Sequence, residues 1–293
     1  MFKGVICPVI TAFDSCGNID YSAQGVIVER LIEHEIDGIL FCGSIGEFTS
    51  ISLEEKRIFF KWAVEKVNKR AWVLTGTGGT NVKETVDLTE YCKMIGADGA
   101  VVISPYYFQL DERALYLYYA AVAKTDFPIM LYNFPDRTKI SLSAGLILKL
   151  AKEFKNIVGI KDTVDSMSHT RELINAVISE RKDFSVLSGY DEYFLPNLIS
   201  GGSGVLSGLT NIAPEIFMKI KEAFREKDFG RLCELQCRLN RLMKIYSVSN
   251  PFISSIKYAV HKILPETGYL LREPFAPLTQ EERANIDDLL NLN

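Results

Sequence analysis

Histidine is scarce in this chain of 293 residues: His34, His169 and His261 are the only three, and they are far apart in sequence. That scatter argues against a histidine-based triad or metal site. A basic excess is also lacking. With 33 Lys and Arg against 37 Asp and Glu the formal charge is −4, and no lysine-rich run interrupts it, so neither nucleic acid nor a membrane surface is an expected partner. No stretch approaches the ~20 apolar residues of a membrane span. The opening run Met1-Phe-Lys-Gly-Val-Ile-Cys-Pro-Val-Ile10 is broken by Pro8 before a signal core develops, which leads to the expectation of a cytoplasmic protein. The six cysteines (Cys7, Cys16, Cys42, Cys92, Cys233 and Cys237) lack paired spacing and read as reduced, buried thiols. Cys233 and Cys237 fall one helical turn apart, but without a nearby histidine they too read as core packing rather than a metal site.

Nucleotide signatures are missing as well. Thr11-Ala-Phe-Asp-Ser-Cys-Gly17 lacks the glycine spacing of a dinucleotide fingerprint, and Gly76-Thr-Gly-Gly-Thr-Asn81 lacks the Gly-Lys-Ser/Thr ending of a phosphate loop. What the chain has instead is alternation. Short β-branched or aromatic runs at 5–11, 38–43, 72–76, 100–104, 129–133, 158–162, 184–189 and 204–207 are separated by amphipathic segments long enough to return the chain. Eight such units predict an α/β fold of the (β/α)8 TIM-barrel type. Ser52 with Glu55 three residues on, and Asn81, mark helix starts. Helical patterning continues through 214–225, 229–246, 251–262 and 280–290, more than a barrel needs. The expected organisation is therefore a catalytic barrel over residues 1–225 and a helical extension packed on it over 226–293, with no Pro-, Gly- or Ser-rich linker between them.

In a barrel of this kind the active site lies at the carboxyl ends of the strands. Lys161 sits there inside the apolar run Val158-Gly-Ile-Lys-Asp-Thr163, where a strand ordinarily carries core residues. A poorly solvated lysine loses part of its preference for the charged form and becomes a nucleophile towards a keto group. Tyr132, near the end of the preceding strand, is a phenol suited to proton transfer beside an imine. Taken singly, Lys161 also fits an ion pair with Asp162 or a snorkelling lysine, and Tyr132 a packed aromatic. Their similar depth on adjacent strands is what points to Schiff-base chemistry. Ser44, Tyr106, Tyr107 and Gly189-Tyr-Asp-Glu192 follow other strands at the same end. The loop Gly43-Ser-Ile-Gly-Glu-Phe48 fits either a backbone cradle for a carboxylate or a tight turn.

At these residues the chain resembles the pyruvate-dependent class I aldolases, the superfamily of dihydrodipicolinate synthase, N-acetylneuraminate lyase and 2-keto-3-deoxy sugar acid aldolases. Over nearly the whole length the shared motifs are Gly43-Ser-Ile-Gly-Glu47, Pro105-Tyr-Tyr107, Tyr132-Asn-Phe-Pro135, Gly159-Ile-Lys161, Gly201-Gly-Ser-Gly204, Asn250-Pro251 and Ile256-Lys257. The resemblance implies that Lys161 forms a Schiff base with pyruvate or a 2-keto acid, with no metal or dissolved cofactor. It implies Tyr132 as acid/base, and Ser44 and Tyr107 as the rest of a hydroxyl relay. Tyr107 would come from a neighbouring subunit, in a homotetramer built as a dimer of dimers. Gly43, Ser44 and Ile45 would hold the pyruvyl carboxylate, and the carbonyl of Leu206 would face the site. Arg137 matches the arginine with which the synthase grips aspartate semialdehyde, whereas Ile45 replaces a threonine hydroxyl of its relay. Thr163, Gly189, Asp191, Glu192 and Ser207 match positions with which the lyase binds a polyhydroxylated tail. The longer runs look most like bacterial 2-keto-3-deoxygluconate-type aldolases. The expected reaction is therefore reversible cleavage of a 2-keto-3-deoxy sugar acid to pyruvate and an aldehyde. Dihydrodipicolinate synthase and N-acetylneuraminate lyase activities are the alternatives.

Overall fold

The computed structural model describes residues 2–291, so Met1, Leu292 and Asn293, the outermost residues of the two expected domains, lie outside the described residues. The strands are β1 Gly4–Pro8, β2 Gly38–Phe41, β3 Trp72–Gly76, β4 Gly99–Ile103, β5 Ile129–Asn133, β6 Ile157–Asp162, β7 Ser185–Ser188 and β8 Gly204–Leu206. Each pairs in parallel with the next, and β8 returns to β1, closing an eight-stranded barrel. The helices are α1 Tyr21–Glu33, α2 Leu53–Val67, α3 Val82–Met94, α4 Glu112–Ala123, α5 Pro135–Thr138, α6 Ala144–Glu153, α7 Met167–Ile178, α8 Phe194–Ile199, α9 Pro214–Glu226, α10 Phe229–Leu242, α11 Ile253–Ile263 and α12 Gln280–Asn291. Several strands are shorter than the apolar runs that announced them. Residues 9–11 and 42–43, for example, are buried but belong to the loops that leave β1 and β2 at the site end.

Period-two alternation sorts the strand residues into two cores. Ile6, Leu40, Leu74, Val101, Met130, Leu187 and Leu206 fill the barrel, while Val5, Ile39, Val73, Val102, Leu131, Ile160 and Val186 face the helices. Gly204 is needed where β8 meets β1: its φ is +137°, and a Cβ there would stand 2.0 Å from the Gly4 carbonyl oxygen.

The helix starts behave as their sequences foretell. Ser52 Oγ accepts from Glu55 N while Glu55 reaches back to Ser52 N, and Asn81 accepts from Lys83 N and Glu84 N. Beyond the barrel, α10 packs on α9, and α11 packs on α12 and on the Gly208–Asn211 turn after β8. The helical pattern over 229–246 does not run through: α10 stops at Leu242 and a 3-10 turn, Met243–Ser247, follows. That turn brings Met243 and Tyr246 over the barrel mouth.

Not all cysteines are buried. Cys7, Cys42 and Cys92 are, and burial pushes each thiol up to about 12. Cys16, Cys233 and Cys237 are exposed. The buried stripe of α10 is Leu232, Leu235, Leu239 and Leu242, so residues 233 and 237 fall together outside it. Among the described residues no helix is long and apolar enough to cross a membrane.

Candidate active site

Strand register puts the two chemically unusual side chains side by side. Tyr132 on β5 pairs directly with Lys161 on β6, so both point into the barrel, and a slip of one residue would turn both outward. Lys161 Nζ lies 4.4 Å from the centre of the Tyr132 ring, and both residues are buried, at 5% and 4% exposure. Asp162 does not pair with Lys161. Its carboxylate points to the helix side, accepting from Asn133 Nδ2 at 2.9 Å and Thr170 Oγ1 at 3.0 Å, with His169 Nδ1 at 3.1 Å. Hydrogen bonding to that carboxylate raises the His169 pKa. The ion-pair alternative for the lysine therefore falls, because its sequence neighbour is consumed by a network behind the strands. The same network ties β5 to β6 one residue beyond the Tyr132–Lys161 pair.

The Tyr132 hydroxyl is 3.3 Å from Ser44 Oγ, and the ring stacks on Phe134 at 5.8 Å. Ser44 belongs to the turn after β2, whose shape is fixed from three sides. Thr11 Oγ1 donates to the Gly46 carbonyl, Glu47 N donates to the Ser44 carbonyl, and Phe48 N donates to that of Gly43.

These residues open on a cavity of about 200 Å³ lined by Ser44, Ile45, Tyr132, Phe134, Asp136, Arg137, Lys161, Thr163, Gly189, Tyr190, Asp191, Gly208, Met243, Tyr246 and Phe252. Arg137 lies beside two aromatic rings, 5.8 Å from the centre of Phe134 and 5.7 Å from that of Phe252. Thr163 Oγ1 is buried with no hydrogen-bond partner among the described residues, a hydroxyl left for a ligand. A Cβ on Gly189 would stand 1.9 Å from that hydroxyl, so only glycine leaves room for it. Asp191 is fully enclosed. It accepts from Leu209 N at 2.8 Å and from Tyr246 Oη at 2.7 Å; burial raises its pKa, opposed by the Tyr246 hydrogen bond.

Five of the residues expected at the site are not among those lining this cavity. Glu192 is half-buried; its backbone carbonyl accepts from Gln236 Nε2 of α10, its Oε2 is buried without a hydrogen-bond partner among the described residues, and burial pushes its pKa up to about 7. The Leu206 side chain belongs to the barrel core, which leaves the expectation for its carbonyl open, and Ser207 is buried. Tyr107 is 88% exposed, at φ +83°, its ring edge-on to the equally outward Phe108 at 4.9 Å. Within one chain it does not reach Ser44 or Tyr132. Gly43 lines a narrow void beneath the cavity, together with Ser44 and Tyr132. What sequence reading missed is the roof. Met243, Tyr246 and Phe252 come from the helical tail, and their nearest signal was the Asn250-Pro251 motif between them.

The whole described chain matches one family. The model of the dihydrodipicolinate synthetase family matches residues 1–292. YagE of Escherichia coli K12, described as a putative 2-dehydro-3-deoxy-D-gluconate aldolase, is 36% identical over 99% of this chain and 96% of its own length. Its crystal structure, solved with pyruvate, superposes with a TM-score of 0.96 over 100% of this chain and 98% of that one. YjhH of the same organism, a probable 2-dehydro-3-deoxy-D-pentonate aldolase, is 37% identical over 99% of this chain and 96% of its own length. The dihydrodipicolinate synthase of Aquifex aeolicus superposes with a TM-score of 0.93 at 34% identity, covering 99% of this chain and 98% of that one. A closed parallel barrel with a lysine and a tyrosine in register at its mouth, matched end to end by this family and its solved members, places the chain in the dihydrodipicolinate synthetase family, as a pyruvate-dependent lyase.

Proposed function

We propose that the protein reversibly cleaves a 2-keto-3-deoxy sugar acid to pyruvate and an aldehyde through a Schiff base on Lys161. The observation that carries the reading is the buried amine of Lys161, which forms no ion pair among the described residues, feels the charge of the enclosed Asp191 and lies 4.4 Å from the Tyr132 ring at the wall of the cavity. In the proposed sequence Lys161 Nζ adds to the C2 keto carbon and water leaves, giving an iminium. Tyr132 takes the proton of the C4 hydroxyl as the C3–C4 bond breaks and its electron pair moves towards the iminium nitrogen. The aldehyde departs, the enamine is protonated at C3, and hydrolysis returns pyruvate and the free lysine. Ser44, within hydrogen-bonding distance of Tyr132, passes the proton on, and the backbone of Gly43, Ser44 and Ile45 holds the pyruvyl carboxylate. No metal or dissolved cofactor enters this sequence.

The distal half of the cavity supports a hydroxylated tail. The unpaired Thr163 hydroxyl, the Asp191 carboxylate and Tyr190 offer acceptors and donors for sugar hydroxyls, and the names of YagE and YjhH point to the same substrate class. Arg137 supports the alternative, condensation of pyruvate with aspartate semialdehyde, because it is a cation at the cavity with no carboxylate partner among the described residues. Ile45 weighs against it: its side chain is buried and apolar where a second relay hydroxyl would stand. Tyr107 is proposed to complete the relay in a neighbouring subunit of a homotetramer acting in the cytoplasm, a role that its exposure and left-handed backbone favour. Purified protein should release pyruvate from 2-keto-3-deoxygluconate or a deoxypentonate. Condensation of pyruvate with aspartate semialdehyde as the sole activity would replace this reading by the alternative.

A further inference from the structure

The Ile256-Lys257 motif has no part in the reaction above, yet Lys257 is one of the most deeply buried large side chains in the molecule, at 1% exposure. Its ammonium donates to Glu47 Oε1 at 2.7 Å and also to the Leu270 carbonyl, and it lies 4.4 Å from the centre of the Phe13 ring. Glu47 is equally enclosed, and its second oxygen accepts from Arg272 N at 3.2 Å. The Arg272 guanidinium then spreads over the outer side of the same loop, donating to the carbonyls of Gly17 and Ser50, both at 2.7 Å, and to Glu55. Three separated stretches of chain, 13–17, 47–55 and 257–272, are thus held together by two carboxylates, Glu47 and Glu55, and two cations.

Glu47 is also the residue that closes the catalytic turn. Its backbone has φ +55°, a conformation disfavoured for any residue but glycine, and its N–H donates to the Ser44 carbonyl at 3.3 Å. A buried ion pair of this kind is poor value for stability, since apolar residues of similar volume commonly serve as well or better. What an apolar pair cannot do is fix the direction of a side chain to within hydrogen-bonding tolerance. We propose that Glu47 and Lys257, backed by Arg272, are positioning residues: they tether the Ser44 turn to the C-terminal helices and hold its backbone and hydroxyl in register with Tyr132. The inference rests on the role proposed above for Ser44. It makes the tail part of the catalytic apparatus rather than a cover for the barrel.

The test compares Glu47→Gln, Lys257→Met and the double variant in the full-length protein. Three quantities are read: the thermal midpoint, the pyruvate concentration that half-saturates borohydride trapping, and kcat for the cleavage reaction. Each single variant leaves a buried group unpaired and lowers the midpoint. The double variant removes both charges and brings the midpoint back towards wild type, while kcat stays roughly ten- to a hundredfold low and half-saturation by pyruvate stays raised, as for a displaced positioning group. Recovery of kcat and pyruvate affinity together with the midpoint would overturn the proposal, and so would wild-type kinetics in the single variants. A double variant that does not fold also counts against it, since the pair would then be required for folding first. If the wild-type protein itself is not trapped by borohydride and pyruvate, the active-site reading falls and the tether with it. Trapping of wild type with unchanged variants removes the tether alone.

Discussion

Replacing Tyr132 by phenylalanine deletes one oxygen from a buried ring and leaves the rest of its packing in place. The ring still stacks on Phe134 at 5.8 Å and still lies 4.4 Å from Lys161 Nζ, so the lysine keeps its surroundings. What disappears is the hydroxyl 3.3 Å from Ser44 Oγ, the atom assigned the C4 proton. Loss of one positioned acid/base group costs roughly 10²–10⁴ in rate, or about 2.7–5.4 kcal/mol of barrier at 1.36 kcal/mol per decade. The effect on folding is much smaller, because one long hydrogen bond to a partly buried serine is worth about 1 kcal/mol. The expected phenotype is therefore a split. Pyruvate release from 2-keto-3-deoxygluconate falls by at least a hundredfold, the thermal midpoint shifts by no more than a few degrees, and borohydride still traps pyruvate on the protein. A fall of less than tenfold would refute the assignment of Tyr132. A midpoint collapse matching the loss of activity would refute the claim that the effect is chemical.

Further outcomes follow from the cavity walls. Gly189→Ala places a Cβ 1.9 Å from Thr163 Oγ1 and 3.0 Å from Thr163 Cα, a clash that a rotamer change alone does not relieve. Overpacking of this kind costs about 1–3 kcal/mol in urea unfolding, and KM for the sugar acid should rise while trapping of pyruvate is little changed; an unaltered KM would take Gly189 out of the substrate site. Glu192 has its pKa pushed up to about 7 by burial, so the folded state holds a proton that the unfolded state has already lost above the ordinary glutamate range. Stability tied to this group is full at low pH and is lost as pH rises towards 7. Because the side chain is only partly buried, Glu192→Gln should gain about 1–2 kcal/mol over wild type at pH 8 and nothing near pH 4; equal curves at both pH values would contradict this. Chains carrying Tyr107→Phe and chains carrying Lys161→Ala, each inactive alone, should regain activity when co-assembled, because an intact Tyr107 then serves an intact Lys161 in a neighbouring subunit. Failure of the mixed oligomers, with exchange of subunits verified by mass, would place Tyr107 outside the relay.

The parts of this site that could be read from sequence are those set by strand periodicity. Alternation over β5 and β6 fixes which side chains enter the barrel, and Lys161 stands out because a charge occupies an inward position of an apolar strand. Helix caps at Ser52 and Asn81 were legible for a similar reason: the interaction spans only two or three residues. Long-range docking left weaker marks. Tyr246 and Phe252 reach the cavity because a 3-10 turn interrupts the helical run after Leu242, and the pattern over 229–246 gives no sign of that break. Cys233 and Cys237 are exposed although their spacing suggests core packing, because an i, i+4 pair fits any face of a helix and only the leucine stripe says which face is inside. Glu192, next to an enclosed Asp191 that lines the cavity, is not part of that lining, on a short 3-10 segment where neither period applies. The Glu47–Lys257 pair joins residues 210 apart in sequence, a contact that no local spacing encodes.

The most direct measurement is to incubate the protein with pyruvate, reduce with borohydride, digest it and locate the adduct by peptide mass, with Lys161→Ala in parallel. The modification should sit on Lys161 of the wild-type chain, and the variant should carry no adduct and turn over no sugar acid. A wild-type Lys161 left unmodified, an adduct on another lysine, or undiminished turnover by the alanine variant would contradict the covalent role of this residue.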